Sequence, residues 1–424
     1  MTDWRRTAPL ALGMVLVLAA CGRSESTPGA GGASQAGGSQ PAAGGGPVTG
    51  TLDVWAMGTE GEKLSVLAKD FMAANPGVTV KVTAIPWAAA HDKIRNALTT
   101  TGPDVTLVGT TWMGEFAKLG GLDKTPSDVD KGQFYEGAWN STVVGGASYG
   151  VPWYVETRVL YYNTDLAKKG GMSDAPKNWN DLKALAQDLK KAGAKSAIEL
   201  QPGGTGSWQT FMPFFWQKGG EIMDSSGTFT LNSPACTDAL TYYQSFFKEG
   251  LAPKAAADTP MEARFAKGQV GAFISGPWMI QVVTDAGAKA GTFAVAPQPK
   301  EQSGTSFVGG GDLAVLANSN NKPAAWAFVK YLSKPEVQVK WYATVKDLPA
   351  VKSAWSDQTL SGDKLLKVFG DQLNDAKAPP AIPKWEEIAA QIDTAIEQVT
   401  VGSMSPADGC KAMQDQATSI GSGS

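Results

Sequence analysis

Glu156 and Arg158 stand two residues apart within Gly150–Asp165, GVPWYVETRVLYYNTD, among Trp153, Tyr154, Tyr161 and Tyr162. A run this dense in aromatic and β-branched residues, led in by Gly and Pro, reads as a strand. Residues two apart on a strand point to the same face. A carboxylate and a guanidinium among rings suit a ligand with many hydroxyls and apolar ring faces; an ion pair among ordinary core aromatics is the alternative reading. The chain offers little for other chemistry. Its one histidine, His91, argues against histidine-dependent catalysis and multi-histidine metal sites, and is read as structural or at a rim. Three cysteines, Cys21, Cys236 and Cys410, are too few for a zinc site of several thiolates. Neither a metal nor another cofactor is expected. A net charge of −3 gives no electrostatic case for nucleic acid as a partner. The 14 tryptophans, many in loop-like sequence, hint at stacking surfaces.

These residues need elements to position them, and 424 residues with 43% hydrophobic content can bury two cores. Strand-like Thr51–Met57 is followed by a turn at Gly58-Thr59-Glu60-Gly61 and a helix over 62–74, then by a strand over Val78–Ala84. A helix over Trp87–Leu98, a short strand over Asp104–Val108 and a helix after Gly109-Thr110-Thr111-Trp112 follow. Strand–helix alternation points to an α/β layer with a largely parallel sheet, whose ligands bind at the carboxyl ends of the strands. Beyond Asp165 the pattern restarts: helices over Trp179–Ala192, Trp208–Lys218, Cys236–Gly250 and Pro260–Lys267, with strands over Ala197–Leu200, Val270–Ser275 and Thr292–Ala296. Gly309-Gly310-Gly311-Asp312 precedes a strand over Leu313–Ala317, the three glycines giving a flexible, close-approach backbone of the sort that hinges and ligand loops use. Helices over Pro323–Leu332 and Pro335–Thr344 lead to a stretch, 345–381, that is irregular with one helical patch, and to terminal helices over Trp385–Val399 and Pro406–Thr418.

The amino terminus speaks to compartment. Residues 1–21, MTDWRRTAPLALGMVLVLAAC, carry a positive start and a short apolar run, then Leu18-Ala19-Ala20-Cys21-Gly22, similar to a bacterial lipobox that would lipidate Cys21. A plain secretory leader is the alternative, and Arg5-Arg6 raises twin-arginine export, which the neighbouring residues fit poorly. Residues 22–49 are Gly, Ala, Ser, Pro and Gln-rich, the composition of a disordered tether. In an oxidising compartment pairing is the default for Cys236 and Cys410, a bond that would pin the last helix; two free thiols are the alternative.

Six stretches in order resemble the carbohydrate solute-binding proteins of bacterial ABC importers, the group that includes maltose-binding proteins. They are VWAMGTEGEKLSVLAKDFMAANPGVTVKV, TGPDVTLVGTTWMGEFAKLGGL, GVPWYVETRVLYYNTDL, GQVGAFISGPWMI, GGGDLAVLANSNNKPAAWAFVKYL and PKWEEIAAQIDTAI, together spanning nearly all of Thr51 to about Thr418. The resemblance implies a periplasmic-binding-protein-like α/β fold of class II type, with two lobes, a hinge and an interlobe cleft. The first lobe would be 50–155 and 313–348, the second 156–312 and 349–424. It also implies an oligosaccharide ligand, permease subunits and a cytoplasmic ATPase as partners, a monomer, and an extracytoplasmic address at the cell membrane. By position in the family, Thr59, Glu60, Thr111 and Trp112 would bond sugar from the first lobe, and Tyr154, Glu156 and Arg158 from the crossing. Trp208, Phe214, Trp278 and Trp385 would supply rings, and Gly310 and Asp312 contacts at the hinge. The chemistry agrees: the C–H face of a pyranose packs on an aromatic plane, and its hydroxyls need partners, best charged ones, when enclosed.

Two other readings compete. A secreted glycosidase would need two carboxylates set as acid and nucleophile, and nothing singles out such a pair, so no enzyme is expected. A peptide binder needs pockets for charged termini and a polyamine site several carboxylates; Trp-rich loops favour a sugar, of at least two units.

Overall fold

The computed structural model of the protein describes residues 48–172 and 174–423, within one structural unit. The leader, Cys21 and nearly all of the stretch read as a tether lie outside the described residues. The strands are β1 (Gly50–Met57), β2 (Val78–Ile85), β3 (Val105–Gly109), β4 (Val143–Val144), β5 (Ala147–Ser148), β6 (Val151–Thr157) and β7 (Val159–Asn163). They continue with β8 (Ser196–Glu199), β9 (Val270–Ser275), β10 (Phe293–Ala296), β11 (Ser306–Val315), β12 (Leu348–Pro349) and β13 (Ala376–Lys377). A larger sheet runs β12-β6-β11-β3-β1-β2, with β13 also on β11, and a smaller one runs β10-β7-β9-β8.

The sheets are mixed, where the strand–helix alternation predicts them largely parallel. β1 is parallel to β2 and β3, and β8 to β9, as helical crossovers require. β11 instead runs antiparallel to both β3 and β6, and β7 to both β9 and β10. The reason is topological: β11 carries the chain back from the smaller sheet and enters the larger one from the opposite end.

The stretch read as one strand is two. β6 ends at Thr157, Arg158 stands outside both strands, and β7 begins in the other sheet at Val159. The change of sheet is pinned by hydroxyls: Thr157 Oγ1 donates to the Phe307 carbonyl at 2.7 Å, and Ser306 Oγ to the Arg158 carbonyl at 2.7 Å. Past it, the period of two divides the chain's apolar load. Val159 and Tyr161 join the core that includes Leu52, Val54 and Leu107, whereas Leu160 faces the core of Phe211, Phe215 and Tyr243.

The glycine run makes the close backbone approach read for it, but within a strand rather than ahead of one. Gly309, Gly310 and Gly311 lie inside β11, paired in register with Glu156, Val155 and Tyr154. They are needed there because β11 lies tightly beside β6: a Cβ on Gly310, at φ +133°, would stand 2.2 Å from the Tyr154 carbonyl. The stretch 345–381 holds a helix over Lys364–Gln372, in keeping with the one helical patch read there, and in addition β12 and β13. Asp363 caps that helix, its carboxylate accepting from the Leu365 and Leu366 amides.

Cys236 and Cys410 are bonded, tying helix Pro234–Lys248 to the last helix, Pro406–Ile420, across 174 residues of chain. Closing a loop that long stabilises by about 5 kcal/mol in chain-entropy terms. Both helices start on serine caps followed by proline, Ser233-Pro234 and Ser405-Pro406.

Candidate ligand-binding cleft

The crossing between the sheets builds the floor of a cleft. Arg158 Nη2 donates to Glu156 Oε1 at 3.2 Å and to Gln209 Oε1 at 2.8 Å. Its guanidinium lies 4.7 Å from the Trp278 ring centre and 5.7 Å from that of Phe307. Trp278 ends the Gly276-Pro277-Trp278 break after β9 and is 43% exposed, which leaves part of its surface accessible to a ligand. Burial raises the Glu156 carboxyl above the usual range, and Arg158 opposes that rise.

Beside this pair stands Tyr154, half-buried under the field of Glu60, Asp347, Glu156 and Asp312. Burial and those four carboxylates hold its phenol well above the usual range, so it stays a hydrogen-bond donor. It bonds the side chain of Glu60, which sits in the first turn of helix Gly58–Lys63 rather than in a loop. Burial raises the Glu60 carboxyl; its own backbone amide and the Tyr154 hydroxyl work against the rise. Thr59, its neighbour, is exposed. Asp347 accepts from Trp341 Nε1 at 3.1 Å and is pushed up to about 8 by burial and by Glu60.

Thr111 and Trp112 form the lip after β3, with Trp112 packed on Gly109 at 3.3 Å from where a Cβ would be. The edge-to-face ring of Trp87, 5.7 Å away, extends this lip. Across from it, the loop 203–207 and the start of helix Trp208–Gln217 are held by one carboxylate: Asp393 accepts from the Gly206 amide at 2.8 Å, the Trp208 amide at 2.7 Å and Ser207 Oγ at 2.8 Å. Between lip and loop lies a cavity of about 520 Å³, bordered by Thr111, Trp112, Trp208 and Gln209. A larger one, about 870 Å³, opens from Arg158 and Gln209 along Gly203–Gly206.

The structure therefore brings Glu60, Tyr154 and Glu156 together with Arg158 at the change of sheet, leaves Thr59 exposed beside Glu60, and sets Thr111, Trp112 and Trp278 at the edges; Trp208 borders the second cavity but is itself only 4% exposed, packed on Phe307 and Trp385. Four residues read as ligand contacts stand elsewhere. Phe214 is wholly enclosed between Trp179, Tyr242 and Tyr243, because the aromatic helix Trp208–Gln217 turns that face to the core. Trp385 is fully buried behind Trp208, edge to face at 5.0 Å. Asp312 is enclosed beneath β6 and accepts from Ser141 Oγ at 3.2 Å; burial pushes its carboxyl up to about 8. Gly310 serves the strand crossing described above.

Sequence reasoning also passed over participants. Gln209 carried no signal beyond its place after Trp208. The Gly203-Gly204-Thr205-Gly206 run had the density that drew attention to Gly309–Gly311, and Trp87 was read only as a helix start. Asp347 sits in the stretch taken as irregular, where no periodicity marks it. Among the described residues no group of three or more potential ligands is set to hold a metal ion, and no helix is long and apolar enough to cross a membrane.

Residues 56–339 match the profile of the bacterial extracellular solute-binding proteins. The chain belongs to that family. The galactooligosaccharide-binding protein of Bacillus subtilis is 26% identical over 384 residues, 88% of this chain and 89% of that protein. The diacetylchitobiose binding protein DasA of Streptomyces coelicolor is 28% identical over 428 residues, 95% of each. The solved structure of the sugar-binding protein MalE from Xanthomonas citri aligns with a TM-score of 0.82 at 31% identity, covering 88% of this chain and 97% of that one. The fold is thus the two-lobed α/β architecture of class II periplasmic binding proteins, with one sheet to each lobe and the cleft between them. Membership of an extracellular family sets the folded part outside the cytoplasm, where the Cys236–Cys410 bond is at home.

Proposed function

We propose that this solute-binding protein captures an oligosaccharide of two or more units by hinge closure and delivers it to the permease subunits of an ABC importer. In this reading it acts as a monomer, held at the outer face of the cell membrane by a lipid on Cys21, and catalyses nothing. The lobes would meet at Arg158, at the return into β11 and near β12, so that closure brings Trp112 toward residues 203–209. Contacts made to both lobes only in the closed form are what would favour it.

The observation that carries the reading is Arg158, held between Glu156 and Gln209 under the exposed ring of Trp278. It offers hydroxyl partners and a stacking face at the point where the chain changes sheets. The sugars named for the relatives, galactooligosaccharide and diacetylchitobiose, support the same class.

The test is a thermal-shift panel of mono- to tetrasaccharides, with peptides and polyamines as controls. A ligand that binds only the folded state raises Tm, and at least one oligosaccharide is expected to do so. A shift with a peptide or polyamine and with no sugar overturns the reading, as does sugar cleavage at enzyme-like turnover.

A further inference from the structure

We propose that the cleft continues past Trp112 into an outer compartment that takes a further saccharide unit, so that the protein binds oligosaccharides of three or more units more tightly than disaccharides. This rests on the reading of the cleft as a sugar site.

Three cavities follow one another, the first on the smaller-sheet side and the second and third between the lobes. The one at Arg158 and the one at Trp112 share Gly204, Thr205, Gly206 and Gln209 as a common wall. The third, also about 520 Å³, begins on the far side of Trp112 and shares that ring and Glu386 with the second. Like the second it is walled by both lobes: His91, Arg95 and Glu115 on one side, Lys384, Glu386 and Glu387 on the other. A ligand filling it would therefore hold the lobes together.

Its first wall is organised. Trp87, His91 and Arg95 fall at i, i+4 and i+8 of helix Trp87–Leu98 and so share one face. His91 Nε2 meets Glu115 Oε2 at 2.9 Å, and Arg95 Nε meets Glu115 Oε1 at 3.0 Å. The single histidine is thus part of this wall. On the opposite wall Lys384 bonds Glu387. Charges of both signs in near balance offer donors and acceptors together, which suits a neutral polyhydroxylated ligand better than an anion or a polycation.

Exposed apolar groups trace the same path. Five large hydrophobic side chains are exposed among the described residues: Val66, Trp87, Leu119, Trp278 and Val401. Four border the run of cavities. Val401 lines the first and Leu119 the third, Trp278 lies on Arg158, and Trp87 stands edge to face on Trp112. Apolar surface left in water along one groove marks a contact surface, and pyranose C–H faces fit it.

The experiment is isothermal titration of the full-length protein with three series, each from di- to tetrasaccharide: maltose upward, N,N′-diacetylchitobiose upward and galactobiose upward. Wild type is compared with Arg95→Ala, Lys384→Ala and the double variant, each checked for an unchanged melting profile. In the series that binds, affinity should rise at least fivefold from di- to tetrasaccharide. The double variant should lose that gain while its disaccharide affinity stays within twofold. Equal affinity for di- and tetrasaccharide, or equal losses for both in the double variant, overturns the outer compartment. If no member of any series binds, the sugar reading itself falls, and the compartment with it.

Discussion

The two walls of the cleft are built from opposite materials. The side belonging to the larger sheet presents acceptors: Glu60, Glu156 and Asp347 gathered on Tyr154. The side belonging to the smaller sheet presents the exposed ring of Trp278 and, from the change of sheet, the guanidinium of Arg158, which reaches Gln209. A pyranose has the same division, hydroxyl rim against C–H face, so each wall can serve one aspect of one ring. The walls also respond differently to conditions. Desolvation raises Glu60, Glu156 and Asp347 above the ordinary carboxylate range, so the acid wall is sensitive to pH, whereas rings do not titrate.

Breaking the acid wall should have the largest effect. Glu156→Ala removes the partner of Arg158 at the floor, and truncating one member of a buried charged pair costs about 3 kcal/mol, or about 100-fold in sugar affinity. Titration calorimetry measures the loss, with circular dichroism showing the fold retained. Near-normal affinity would take the crossing out of the site.

On the opposite wall, Trp278→Ala removes an exposed ring and the stacking partner of Arg158. Affinity should fall about fivefold, in keeping with a contribution of about 1 kcal/mol from ring contacts beyond simple burial. The loss should be alike at pH 6 and pH 8, since no titrating group is deleted. A loss confined to one pH would mean that the two walls are not independent.

The smallest effect separates pH response from binding. Buried Asp312 has its carboxyl pushed up to about 8, against about 4 in the unfolded chain. The folded state therefore keeps a proton that the unfolded chain releases. Its contribution to stability is whole below about pH 4, is lost as pH rises through about 8, and is constant above that. Asp312→Asn mimics the protonated form and keeps an acceptor for Ser141, so Tm should decline less steeply from pH 5 to 8.5 than in wild type. An unchanged slope would show that Asp312 does not titrate in this range.

Much of this was legible in the chain itself. Helix Trp87–Leu98 and strand β9 fall where periodicity and breakers put them, because local patterning and Gly or Pro punctuation act over a few residues. The Cys236–Cys410 bond was legible too, since an oxidising compartment leaves two such cysteines little else to do. The order of six family-like stretches pointed to a two-lobed fold. Glu156 and Arg158 were legible as a pair, although for an incomplete reason: they meet across a change of sheet rather than on one strand face.

Tertiary structure alone decided the rest. Composition cannot distinguish an aromatic ring that lines a cleft from one that fills a core. Trp278 and Trp385 both open or precede helices, yet one is exposed on Arg158 and the other is sealed behind Trp208. The glycines of β11 could signal flexibility or close packing, and only the approach of β6 at Tyr154 selects packing. Asp347 and Gln209 have no sequence signature, and the i, i+4 spacing of His91 and Arg95 does not say what their shared face meets. Their partners lie on elements far along the chain, and what they can do depends on distances that only the folded arrangement creates.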